Sequence, residues 1–123
     1  MKGNPKSQQN EIVVQVMEYE ILVYDLRSNK ALCLNETSAL VWQMCDGKTS
    51  VSEIAEKIGK EINQSMSNES IWLAIDQLRK ENLLTNGDEI ESHFAGLSRR
   101  EVIRKVGFAS LVALPIVSSI VAP

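Results

Sequence analysis

The stretch from Leu34 to Ile58 constrains the fold more than any other part of the chain, because it carries two helix starts and one helix stop. Asn35 can cap a helix by accepting from a free backbone N–H of the first turn, and Gly47, after Asp46, supplies the permissive backbone that ends it. A short helix is therefore expected over Glu36–Cys45. Ser50-Val51-Ser52-Glu53 then reads as a capping box, in which hydroxyl and carboxylate each satisfy the other residue's backbone donor. A second helix should run from Val51 to about Glu61. Only Gly47-Lys48-Thr49 separates the two, so they must turn sharply on one another, as in helix-turn-helix units.

Upstream, Ile12–Met17 and Ile21–Tyr24 are β-branched and aromatic runs joined by Glu18-Tyr19-Glu20. The polar Arg27-Ser28-Asn29-Lys30 marks a second turn, leading to a third strand over Ala31–Leu34. Downstream, Ser67 can cap a third helix running to about Glu81, with Ile71, Trp72, Ile75 and Leu78 on one face. Leu83 and Leu84 then cross the core before Asn86-Gly87 turns the chain out. Trp42 and Trp72 sit among aliphatic residues at helical spacing and are expected in the core. The class is α+β: a three-stranded antiparallel β-meander, then a three-helix bundle of winged-helix-turn-helix type, then a C-terminal hydrophobic helix. The expected organisation is a frayed polar terminus over 1–10, a domain over 11–85, a linker over 86–97 and a tail over 98–123.

Charge and chemistry narrow the function classes. Residues 1–97 hold 9 Lys+Arg against 15 Asp+Glu, net −6, whereas residues 98–123 hold 4 against 1, net +3. The third helix carries Arg79 and Lys80 against Glu69, Asp76 and Glu81, so it lacks the basic face that duplex binding requires, and no nucleic acid is expected. A winged-helix DNA-binding regulator is the competing class. Cys33 and Cys45 form no CxxC pair and have no His at ligand spacing, so no metal is expected. The one histidine, His93, has no nucleophile and orienting acid beside it, and the glycines form no phosphate loop. The chain reads as a non-enzyme without a cofactor, located in the cytoplasm, with membrane association through the C-terminal tail, as a membrane-tethered scaffold, the alternative.

The strand ending in Ala31-Leu32-Cys33-Leu34, followed by Asn35-Glu36-Thr37-Ser38-Ala39-Leu40-Val41-Trp42 and Cys45-Asp46-Gly47-Lys48-Thr49-Ser50-Val51-Ser52-Glu53-Ile54-Ala55, resembles the PqqD family. That family contains coenzyme PQQ synthesis protein D and the recognition elements of ribosomal peptide natural-product pathways. The likeness runs from about Glu11 to Thr85, with Asp46-Gly47 before the capped second helix as its most specific part. The resemblance implies a module that holds the leader of a precursor peptide and presents it to a modifying enzyme, often a radical SAM protein. The leader would add to a strand edge by backbone pairing and fill a groove beside a helix. By position, Lys30, Ala31, Leu32, Cys33 and Leu34 would form the receiving edge, and Ile71, Ile75, Leu78 and Arg79 would line the groove.

The tail departs from that family pattern. Ser98-Arg99-Arg100-Glu101-Val102-Ile103-Arg104-Lys105 precedes an uncharged run of eighteen residues, Val106–Pro123, and is similar to a twin-arginine export signal placed at the wrong end of the chain. As a helix the run would reach about 27 Å, marginal against a hydrocarbon core of roughly 30 Å, and Pro115 would kink it. Four roles are compatible with it: a membrane span, a peripheral anchor whose basic residues meet anionic lipid, a helix packed on the domain or on another subunit, or a leader-like segment that fills the chain's own groove.

Overall fold

The computed structural model describes residues 4–90, 94, 96–106 and 115–120. His93 and residues 107–114 lie outside the described residues, as do the side chains of Arg99 and Ile103. Strands β1 (Ile12–Val16), β2 (Glu20–Asp25) and β3 (Lys30–Asn35) form the antiparallel meander. The β1–β2 turn closes with Met17 N–H donating to Glu20 O at 2.8 Å. Asn29 takes the left-handed conformation at φ 56° that its turn demands.

Helices α1 (Glu36–Met44), α2 (Val51–Ile62) and α3 (Asn68–Lys80) follow, each with the expected cap. Asn35 Oδ1 accepts from Ser38 N at 3.0 Å, and Ser67 Oγ accepts from Ser70 N at 3.2 Å. The box at Ser50 closes in both directions, at 3.2 and 3.1 Å. Between α1 and α2 the Asp46 carboxylate accepts from Lys48 N, Thr49 N and Thr49 Oγ1 at 2.8, 2.7 and 3.0 Å, and these donors hold its pKa below the usual carboxylate value. Gly47 sits inside this loop at φ 82°, which explains why Asp-Gly stands there. Ile21, Val23, Leu32 and Leu34 of the sheet pack with Val41, Trp42, Ile54, Ile58 and Leu83 in one core. Trp42 is buried and its Nε1–H donates to Leu83 O at 2.9 Å, while Trp72 is half-buried against the same core.

Four expectations change. The sheet has four strands, in the order β1-β2-β3-β4, because Val117–Ile120 forms β4 against β3. The expected hydrophobic helix is therefore absent over 115–120: Pro115 has no N–H for a helical ladder, and the β-branched run beyond it finds strand partners instead. The only helical part of the tail among the described residues is α4 (Arg99–Val106), and no described helix is long and apolar enough to cross a membrane. Residues 4–9, expected to fray, are tied across the domain. Gly47 N donates to Pro5 O, Ser7 N to Cys45 O, Gln8 N to Leu83 O and Thr85 N to Lys6 O, at 2.8 to 3.0 Å. The segment expected as a linker begins with a short 3-10 turn, Gly87–Glu89, and buries Ile90 and Phe94.

Candidate functional site

Residues Ala31–Leu34 form the edge of the meander away from β1, and β4 occupies it. The register pairs Ala31 with Ile120, Leu32 with Ser119, Cys33 with Ser118 and Leu34 with Val117. One step further, Asn35 N donates to Ile116 O at 3.1 Å. Backbone direction alternates along a strand, so Ala31 and Cys33 also turn their N–H groups toward β4, whereas those of Leu32 and Leu34 turn toward β2. The side chains alternate in the opposite sense of exposure: Leu32 and Leu34 are fully buried in the core, and Ala31 and Cys33 are half-buried on the outer face. Lys30 is exposed at the end of the edge, 3.9 Å from Glu81.

Two side-chain amides fasten the segment before β4. Gln77 of α3 donates through Nε2 to Pro115 O at 2.8 Å and accepts at Oε1 from Val117 N at 3.0 Å. Asn35 Oδ1, already capping α1, also accepts from Ile116 N at 3.0 Å. Pro115 is fully buried and Val117 is half-buried against the core, while Ile116, Ser118, Ser119 and Ile120 are exposed. The site is thus a cleft between β3 and α3, read by hydrogen bonds to backbone and filled by one proline and one valine.

The expected groove lining is largely elsewhere. Ile71, Ile75 and Leu78 are 0 to 1% exposed and belong to the core. Arg79 lies two residues beyond Gln77, about 200° around the helix, and pairs with Asp76 at 2.8 Å beside Gly87. Neither Gln77 nor the second bond of Asn35 was visible in the sequence. The only signal was a polar residue at a half-buried helical position, and its partner lies 40 residues away. A separate hollow lined by Ala55, Gly59, Asn63 and Met66 shares no residue with the cleft.

Two cysteines lie in or near this part of the fold. The Cys33 thiol, beside β4, donates to Glu20 Oε2 at 3.0 Å; burial, and then Glu20, push its pKa up to about 11. Burial and Asp46 push Cys45 up to about 12. Both stay protonated at neutral pH, where a thiol is a poor nucleophile and a poor metal ligand. No group of three His, Cys, Asp or Glu residues suited to a metal occurs among the described residues.

The profile of the family described as coenzyme PQQ synthesis protein D (PqqD) matches residues 20–84, more than half of the chain. The chain belongs to the PqqD family. The matched span begins at β2 and ends at Leu84, so it contains β3, Asn35 and all of α3 but neither β1 nor the tail. β4 therefore lies outside the matched region. Comparison with curated proteins and with solved structures gave no match.

The tail motif also has a local role. Glu101 N donates to Ser98 Oγ at 3.2 Å and Ser98 N to Glu101 Oε1 at 3.4 Å. Ser98-Arg99-Arg100-Glu101 is thus the capping box of α4, built like the one at Ser50. Arg100 is exposed.

Proposed function

We propose that this chain is a non-catalytic adaptor of PQQ-type or ribosomal peptide biosynthesis, which captures the leader of a precursor peptide by strand addition at β3 and presents it to a modifying enzyme such as a radical SAM protein. The observation that carries this reading is the cleft itself: β3 pairs with an extended segment while α3 holds that segment's backbone through Gln77. A β edge and a neighbouring helix together supply what strand-addition binders use, ladder hydrogen bonds for affinity and pockets for selectivity. Family membership supports an accessory role, since residues 20–84 are the part that matches and they contain the whole receiving surface. The acidic charge of residues 1–97 also suits a peptide partner better than duplex DNA.

The test is a titration of the 15N-labelled full chain with leader peptides of the short precursor genes that neighbour its own. A cognate leader should bind with Kd on the order of micromolar and shift the amides of Ala31, Cys33, Asn35 and the Gln77 side chain. Unchanged spectra with every such leader, at concentrations carried well past the millimolar range, would remove the adaptor role.

A further inference from the structure

The cleft is filled, and what fills it is informative about what it accepts. Position 115 is fully buried, and its carbonyl is taken by Gln77 Nε2. Any residue other than proline there would bring a buried N–H that needs its own acceptor, so the site favours the one residue without that donor. Position 116 is exposed, and both of its backbone groups are held by Asn35, the N–H by Oδ1 and the carbonyl by the backbone N–H. Side-chain identity at that position is therefore open. Position 117 is read twice, its N–H by Gln77 Oε1 and its side chain by the core. No charged group is present from 115 to 120.

We infer that the β3–α3 cleft is a binding site for an uncharged, extended peptide of Pro-X-Val type, that residues 115–120 of this chain are its resident occupant, and that a peptide arriving in trans binds by replacing them. The inference rests on the strand-addition reading above for the trans ligand, but the resident occupant stands on the ladder and the two amides alone. Strand addition at an edge is exclusive, because each outward N–H and C=O of β3 accommodates one ladder partner. The chain consequently carries its own competitor.

Two full-length variants altered only in the tail test this while leaving Asn35, Gln77 and β3 intact. Val117→Pro removes the N–H that Gln77 Oε1 accepts and disturbs the start of the ladder. Ser118→Cys places a thiol opposite Cys33, at a hydrogen-bonded ladder position where Cα atoms lie about 5.5 Å apart, within reach of a disulfide. The probe is a fluorescein-labelled synthetic peptide of residues 114–123, followed by anisotropy. Val117→Pro should bind the probe at least tenfold more tightly than the unaltered chain. Oxidised Ser118→Cys should not bind it, and reduction should restore the affinity of the unaltered chain. Amide exchange provides the arm that needs no trans peptide: Ala31, Cys33 and Asn35 should be protected in the unaltered chain and exchange at least tenfold faster in Val117→Pro.

Equal probe affinity in all forms, or unprotected Ala31 and Cys33 amides in the unaltered chain, overturns the inference. Protection that is lost in Val117→Pro, with no precursor leader binding to that variant, upholds the resident occupant and instead removes the adaptor role.

Discussion

Asn35 joins the fold to the cleft through a single oxygen, and replacing it separates the two functions. Its Oδ1 accepts from Ser38 N, closing the first turn of α1, and from Ile116 N, holding the tail, both at 3.0 Å. Loss of an N-cap acceptor costs about 1 kcal/mol, within a range of 0.5–2. A net intramolecular hydrogen bond contributes about 1 kcal/mol more. Asn35→Ala should therefore lower global stability by about 2 kcal/mol. Asn35→Ser keeps a capping hydroxyl but cannot reach Ile116, so it should lose only the second contribution, about 1 kcal/mol. Asn35→Asp keeps both acceptor positions, and its charge suits a helix N-terminus, so it should lie close to the original chain. Urea unfolding monitored by tryptophan fluorescence gives the global series, and exchange of the Cys33 amide, which faces β4, gives the local one. At about 1.4 kcal/mol per tenfold, Ala and Ser variants should both exchange Cys33 about fivefold faster, whereas Asp should not. A Ser variant that protects Cys33 as fully as Asn does would show that Oδ1 plays no part in holding the tail.

Trp42→Phe removes the donor to Leu83 O and leaves a small void at a site only 2% exposed. Leu83 O retains the bond from Gln8 N, so the loss should stay near 2 kcal/mol rather than rise further, as measured by urea unfolding. Gly59→Ala sets about 1 kcal/mol of helix propensity against a Cβ only 2.8 Å from Gln64 O; backbone cannot yield as a side chain can, so the melting temperature should fall. The Arg27 side-chain hydrogen bond holds the Asp25 carboxyl below its usual value of 3.8. A depressed folded pKa stabilises above the unfolded value and is lost as pH falls through the folded one, so the stability gap between the original chain and Asp25→Asn should be full at pH 7 and close below about pH 4.

What the sequence made legible was local. Asn35, Ser50 with Glu53, and Ser67 cap helices where expected because a cap needs only residues within one turn. The meander was legible for a related reason: its turns and alternating runs lie within a few residues of each other. The cleft was not. Ile71, Ile75 and Leu78 share a helical face, and periodicity marks such a face as buried without saying whether core or ligand buries it. The strand at 117–120 was hidden in an uncharged run that suits helix and strand equally, and its partner lies more than 80 residues away. Residues 4–9 were missed because most of their ties are backbone bonds, to Cys45, Gly47, Leu83 and Thr85, which leave no trace in side-chain pattern.

Because β4 and β3 belong to one polypeptide, their encounter does not depend on how much protein is present. Tethered partners meet at an effective concentration set by the connecting chain, on the order of millimolar for short connections. Dilution leaves that figure unchanged, whereas a free peptide meets β3 only at its own concentration. A free ligand of equal intrinsic affinity would stay excluded until it reached the millimolar range. The cleft would then report on the amount of peptide supplied as well as on its sequence, with a threshold that does not move with the protein's own concentration.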